Sequence, residues 1–417
     1  MQHGFWKKVM ACVLSLVLCV SCTIAFAEDE TIELTYWAHS GTKDSVEPLT
    51  AAYMAEHPNV KINVSYYATD NIKDALKVAA TSNTLPSLWF NWGGNLGGYY
   101  VTNGCTYDLT QFAKDHGWAE RFNAGALDLC TLDGKLSGYP TSISMLTMYY
   151  KKSVFERCGI EVPTTFEELE AACDKLKENG VVPFATAGLY GWHLMRIVEQ
   201  LVEYYAGPEL HNQLQEMTTS WDCEAVTKAF AKYQEWCQKG YFPEGFISNN
   251  PDDTLMLLAT EQAAMDPEGQ WFDNTASNDG LDISEYGWFA FPNGTGRISS
   301  FGEMVQFNAN LTDAQLEAAN DYLCTIYSKE SQNGEFNSQL SLTSLADFAF
   351  PDTQPHAREV FAYGQSNGTF TITDQAFPSE VADVLFSMQA ALSDGSATPA
   401  EAAATLEAAV QTYLASR

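Results

Sequence analysis

An α/β fold divided into two lobes is the fold class this sequence predicts, on three observations. Strand-type and helix-type patterns alternate between residues 31 and 90, and a similar alternation returns from residue 146. The chain is also too long for a single hydrophobic core.

The elements follow in order. Residues 31–37 alternate apolar and polar side chains and end in Tyr36 and Trp37, a strand signal. Residues 45–57 carry Val46, Leu49, Tyr53 and Met54 at helical spacing, and Pro58 ends that helix. Residues 60–67 alternate again as a strand. Residues 72–82 place Ile72, Ala75, Leu76 and Ala79 on one helical face, and 88–90 read as a short buried strand. Five elements in this order predict parallel crossover units.

In the second region, 146–150 reads as a strand and 153–158 as a helix. Thr165 with Glu168 three residues on predicts a capping box, and that helix runs to Asn179 before Gly180. A strand at 182–186, helices at 193–205 and 223–239, and strands at 286–291 and 304–307 follow. From Asp313 onward the pattern is almost all helix, ending in the alanine-rich stretch 399–416. No tandem repeat or flexible linker marks a boundary; Pro140 and Pro292 are the local candidates for crossings between lobes.

The first residues read as an export signal. Lys7 and Lys8 precede an apolar run from Val9 to Val20, and Ala25-Phe26-Ala27 precedes three acidic residues. Cleavage after Ala27 is the preferred reading. Lipid attachment at Cys22 is the alternative, with Cys19 standing where a lipobox normally has leucine. Removing 27 of 417 residues leaves 390, and losing two lysines takes the net charge from −31 to −33. So acidic a surface repels phosphate backbones and anionic headgroups, so neither nucleic acid nor direct membrane binding is expected. Seven cysteines remain (Cys105, Cys130, Cys158, Cys173, Cys223, Cys237 and Cys324), an odd number with no zinc-type spacing. They read as small buried residues with at most a few bridges.

Several motifs stand in order along the chain. They are Leu34-Thr35-Tyr36-Trp37; the stretch Y-M-A-E-H-P-N-V from Tyr53 to Val60; and Asp133-Gly134-Lys135 with Gly138-Tyr139-Pro140. Further on come Tyr149-Tyr150-Lys151-Lys152 with Phe155, Gly159-Ile160 and P-T-T-F-E-E-L from Pro163 to Leu169, and then Glu261 to Met265 with Gly269-x-Trp271. Together they resemble the motifs of the extracellular solute-binding proteins, family 1, of carbohydrate ABC importers. Lys151, Ser87 and Glu261-Gln262 depart from that family's usual Asn, Asp and Gly-Lys.

The resemblance implies a periplasmic-binding-protein-like fold of type II, with a ligand cleft between lobes joined by a multi-segment hinge. The implied division is a signal peptide 1–27, a first lobe of 28–142 and 287–328, and a second lobe of 143–286 and 329–417. It implies a carbohydrate ligand captured by cleft closure. The partners are then the ABC transporter permease subunits in the membrane. The protein would be a monomer at the cell surface or in the periplasm, without a cofactor.

A sugar needs aromatic platforms for its C–H faces and amides, carboxylates or hydroxyls for its rim. In parallel sheets these groups are expected on loops at the carboxyl ends of strands. The candidates are Trp37, His39 and Ser40 after the first strand, Asn91 and Trp92 before Gly93-Gly94, and Glu303. From the other lobe come Ser144, Trp192, Glu268 and Trp271. Each has a plainer role open to it: the tryptophans as core, His39 and Asn91 as loop braces, and the two glutamates as solvated carboxylates. Glu167 and Glu168 are explained by helix capping.

Two other functions fit export and acidity. A binding protein of the same fold could take a polyamine or similar non-sugar solute. A secreted glycoside hydrolase would need two carboxyls about 5–10 Å apart; the sequence carries none of the G-x-S-x-G, H-E-x-x-H or P-loop motifs. No catalytic residue and no metal site is expected.

Overall fold

The computed structural model describes residues 31–132, 134–334 and 337–416. The export signal, Cys22 and Asp133 lie outside the described residues. Eleven strands are present among those described: β1 Ile32–His39, β2 Val60–Tyr67, β3 Leu88–Trp92, β4 Thr131–Leu132, β5 Lys135–Leu136 and β6 Gly138–Lys151. They continue as β7 Val182–Phe184, β8 Ala263–Gly269, β9 Tyr286–Phe289, β10 Ile298–Phe307 and β11 Thr369–Thr371. The main sheet runs β2-β1-β3-β10-β6-β8-β7, with β11 added to β10 and β9 to β6. β4 and β5 form a separate hairpin.

The first half of the sheet follows the predicted alternation. β1 pairs in parallel with β2 over eight residues and with β3 at Tyr36 and Trp37. The helices Lys43–Glu56 and Thr69–Ser82 make the crossovers. Their apolar stripes pack on the sheet, Val46, Leu49 and Tyr53 from one and Ile72, Leu76 and Ala79 from the other.

Two strands pass through both halves. β6 pairs with β10 from Gly138 to Met145 and then with β8 from Leu146 to Tyr150. β10 pairs with β11 at its start and with β3 at its end. Only 146–150 of β6 was expected as a strand, because almost all fourteen of its residues are buried and the polar run Thr141–Ser142 breaks any apolar alternation. Pro140 sits inside β6 opposite Met304, where the register with β10 shifts. A proline that cannot donate to the ladder is tolerated at such an irregularity.

Three further expectations are corrected. β8 was not anticipated as a strand, since Asp266, Pro267, Glu268 and Gly269 mask it; Pro267 lies beyond the residues paired with β7. The helix expected to end at Tyr205 continues to Gln215 after a break at Gly207 (φ 69°, ψ 172°) and Pro208. The region after Asp313 is not all helical. Between Asn333 and Pro355 the described residues form an irregular strap, pinned to β6 by hydroxyls: Thr343 Oγ1 donates to Ile143 O at 2.8 Å and Ser344 Oγ to Thr141 O at 3.0 Å. Such side-chain bonds to backbone compete with helix formation.

The capping box forms as read, with Thr165 Oγ1 accepting from Glu168 N–H and Glu168 Oε2 from Thr165 N–H, both at 3.2 Å. One apolar cluster joins Leu34, Tyr36 and Ile62 to Phe307, Tyr322, Leu340, Leu342 and Leu345. A larger one centres on Leu169, Val198, Phe230, Trp236, Leu385 and Leu406. The break at Gly207 is tied down by a buried ionic cluster. Glu203 accepts from Arg297 Nε at 2.8 Å and Nη2 at 2.7 Å, and from His211 Nδ1 at 2.6 Å. The seven cysteines are free; Cys130, Cys158 and Cys173 are buried and the others partly so. No helix among the described residues is long and apolar enough to cross a membrane.

Candidate functional site

A cavity of about 640 Å³ opens between the two halves of the sheet. That lies within the range of roughly 300–1,000 Å³ in which proteins hold small ligands. Eight of the ten sequence-predicted residues line it: His39, Ser40, Trp92, Ser144, Trp192, Glu268, Trp271 and Glu303. Trp37 and Asn91 do not. Trp37 packs against Tyr67 of the neighbouring strand, ring centroids 5.1 Å apart. Asn91 is turned into the sheet, donating from Nδ2 to Gln306 Oε1 at 2.8 Å and accepting from Trp92 N–H at 2.9 Å. It braces the strand that presents Trp92.

Three indoles alternate with two cations along the cavity wall. Lys73 Nζ lies 4.9 Å from the Trp92 ring centroid and 6.0 Å from that of Trp192. The Arg196 guanidinium carbon lies 4.8 Å from Trp192 and 5.3 Å from Trp271. Such cation–ring contacts strengthen as the cation loses water. Trp92 stands edge-on to Phe90 at 4.8 Å, and Trp271 is 5.8 Å from Phe301.

Two glycines explain the local sequence. Trp271 lies against the α-carbon of Gly269, where a β-carbon would sit 2.0 Å from the indole, so the Gly-x-Trp spacing is a packing requirement. Gly94 has φ +62° and a β-carbon there would come 2.4 Å from the Gln375 carbonyl. The close approach is to the protein's own backbone.

His39 is neutral. Burial and the nearby Lys73 push its imidazole down to about 4. Its Nδ1 accepts from Gly41 N–H at 3.2 Å, leaving Nε2 to face Thr69 Oγ1 at 3.0 Å. Burial raises Glu303, which accepts from Ser142 Oγ. Burial likewise raises Asp374, a cavity residue held partly in check by Lys73 and Arg196.

Glu268 shows the opposite balance. Against the penalty of burial, Arg196 and His193 hold it well below the usual carboxylate range. Arg196 Nη1 lies 3.0 Å and His193 Nε2 3.2 Å from its Oε1. Asp266, wholly buried, lies 3.5 Å from the same imidazole nitrogen, and burial raises it. His193, Asp266 and Glu268 are close enough to one another to hold a metal ion. Their hydrogen bonds argue against it: His193 Nδ1 accepts from Ala187 N–H at 3.3 Å, which puts the ring proton on Nε2. A metal at Nε2 needs that proton on Nδ1 instead, and the Arg196 cation already occupies the Glu268 oxygen.

Sequence reasoning missed Lys73, Arg196 and Asp374, and the strap residues Gln339, Ser341 and Gln354 that also line the cavity. The available signal was Arg196 one helical turn after Trp192, in a chain with only 22 cations against 53 carboxylates.

The model of the family described as bacterial extracellular solute-binding protein matches residues 49–357. An uncharacterised ABC transporter extracellular-binding protein of Pyrococcus horikoshii is 26% identical over 210 residues, 48% of each chain. The present chain thus spans about half the length of that relative. A multiple sugar-binding protein of Streptococcus mutans is 22% identical over 57% of each chain. Among solved structures, a chitin oligosaccharide binding protein superposes with a TM-score of 0.82 at 22% identity, over 92% of this chain and 98% of the other.

Proposed function

The chain belongs to the bacterial extracellular solute-binding proteins, and from that premise we propose that it captures a mono- or oligosaccharide by cleft closure and delivers it to the permease of an ABC importer. The observation that carries this reading is the cavity wall in which Trp92, Trp192 and Trp271 alternate with Lys73 and Arg196, bordered by carboxylates and hydroxyls. Indole faces suit the C–H faces of a sugar and the polar groups suit its hydroxyl rim. The sugar-binding names of the S. mutans and chitin oligosaccharide proteins support the same ligand class.

The ligand-contacting set we propose is His39, Ser40, Trp92, Ser144, Trp192, Glu268, Trp271 and Glu303, with Lys73, Arg196 and Asp374 added. Trp37 and Asn91 act as supports. The hinge is assigned to β6 and β10, the strands that pass through both halves. The first lobe is extended beyond residue 328 to include the strap, because Leu340, Leu342 and Leu345 pack with Leu34 and Tyr36. The mature protein works as a monomer and binds without catalysis. Glu268 pairs with Thr147 and Glu303 with Ser142 on opposite sides of β6, and the two carboxylates have separate partners, Arg196 with His193 for Glu268 and Ser142 for Glu303.

The test is a thermal-shift panel of saccharides and polyamines on protein starting at Glu28. A ligand at 100 times its Kd stabilises by about 2.7 kcal/mol. A melting shift with saccharides is the expected result; a shift with polyamines and none with any saccharide would sink the reading.

A further inference from the structure

Besides the indole row, the cavity lining holds a group of different chemistry. Helix Phe272–Asn278 starts just after Trp271, and Asn274 in its first turn lines the cavity. There it meets two cavity-lining amides of the strap, Gln339 and Gln354. Gln354 Nε2 donates to Asn274 Oδ1 at 3.4 Å and to Gln339 Oε1 at 3.5 Å; Asn274 Nδ2 donates to the Gln339 carbonyl at 3.3 Å. All three exceed the usual 2.9–3.0 Å for N–H···O bonds. The strap is anchored here to the first half of the molecule, since Gln339 N–H donates to Ser45 Oγ at 2.9 Å.

Three amides with long mutual bonds keep two N–H donors and four acceptor lone pairs unused and carry no charge. That suits hydroxyl groups, which both donate and accept. Their hydrogen bonds run among themselves and to backbone, none to Lys73, Arg196 or Asp374.

Volume sets a lower bound on the length of the occupant. Even at the loose packing of liquid water, about 30 Å³ per non-hydrogen atom, the cavity of about 640 Å³ has room for roughly 21 such atoms, and covalently bonded atoms pack closer. A hexose has about twelve, so it leaves room for at least one further unit.

We propose that Asn274, Gln339 and Gln354 form a second sugar subsite, so that the ligand is a saccharide of at least two units reaching from the indoles to these amides. This rests on the reading of the cavity as a sugar site. The two are separated by calorimetry on a matched series of mono-, di- and trisaccharides of glucose, xylose, mannose, galactose and N-acetylglucosamine. For the sugar that binds, the disaccharide is expected to bind at least thirtyfold tighter than the monosaccharide. Gln354→Ala and, separately, Asn274→Ala are expected to weaken the di- and trisaccharide about tenfold while leaving the monosaccharide within twofold.

A monosaccharide bound as tightly as its dimer, or variants that weaken both equally, would overturn the second subsite and leave the sugar site standing. No binding by any saccharide overturns both. The length series on the unmodified protein decides the matter even where a variant fails to fold.

Discussion

Trp192 and Asp70 meet across the cleft, the indole Nε1 3.5 Å from the carboxylate Oδ2. Asp70 lies on the helix that follows β2 and Trp192 opens the helix that follows β7. Lys73, one turn beyond Asp70 and 3.9 Å from its carboxylate, approaches the same indole. The face that would stack on a sugar is therefore bordered by charged groups from the opposite half of the molecule.

Trp192→Ala is expected to weaken saccharide binding by about thirtyfold, the scale of a buried aromatic anchor worth about 2 kcal/mol. Trp37→Phe is expected to leave affinity within twofold, because its ring packs on Tyr67 away from the cavity. Isothermal titration of both variants checks the pair. Equal losses would show that the cavity boundary is wrongly drawn.

Charge in the cavity predicts discrimination against acidic sugars. Asp44, Asp252 and Glu268 alone outnumber Lys73 and Arg196, before the raised carboxyls Glu303 and Asp374 are counted. A uronate is expected to bind at least tenfold weaker than the neutral sugar of the same length. The gap should narrow between about 0.01 M and 1 M salt, where the screening length falls from about 30 to 3 Å. Competition titrations at the two salt concentrations measure it.

The Glu203 cluster predicts acid sensitivity. Despite the cost of burial, His211 and Arg297 hold Glu203 down at about 2, below the ordinary 4.5. Its stabilising contribution is thus present above about pH 4.5 and is lost as pH falls toward 2. Glu203→Ala strands Arg297 and is expected to cost about 3–5 kcal/mol at neutral pH. Melts between pH 2 and 7 should show the variant losing less than the wild type on acidification.

Glu199 predicts the reverse slope. Burial pushes it up to about 8, although Oε2 accepts from Thr373 N–H at 3.0 Å and Thr373 Oγ1 at 3.1 Å. The unfolded chain gives up this proton near 4.5 and the folded one near 8, so stability declines as pH rises through that window. Glu199→Gln is expected to flatten the decline and stabilise by about 1–3 kcal/mol at pH 8, with little change at pH 4. Urea titrations at both values test this; a variant less stable at pH 8 would contradict it.

The outer strands were legible because only one side of each is shut off from water. Val60 and Ile62 are buried while Lys61 and Asn63 are exposed, and the alternation survives in sequence. β8, and β6 outside residues 146–150, were illegible for the opposite reason. They are buried on both sides, and polar residues such as Thr141, Ser142, Ser144 and Glu268 line the cavity, so neither period nor composition marks them. The site divides the same way. Indoles beside glycines stood out, because local packing imposes the pairing, as Gly269 under Trp271 shows. Lys73, Asp374 and the strap amides did not, since what each faces is set by segments far away in the chain.

The passage of β6 and β10 through both halves has a consequence for how the protein comes into being. β10 lies between β3 and β6, yet it is made last of the three. Until Ile298–Phe307 arrives, the first sheet has a seam that nothing earlier in the chain can close. A molecule leaving the ribosome therefore cannot finish one lobe and then start the other, as strings of independent domains do. It remains unfinished through most of its synthesis, the state in which a chain bound for the outside can still be threaded across a membrane.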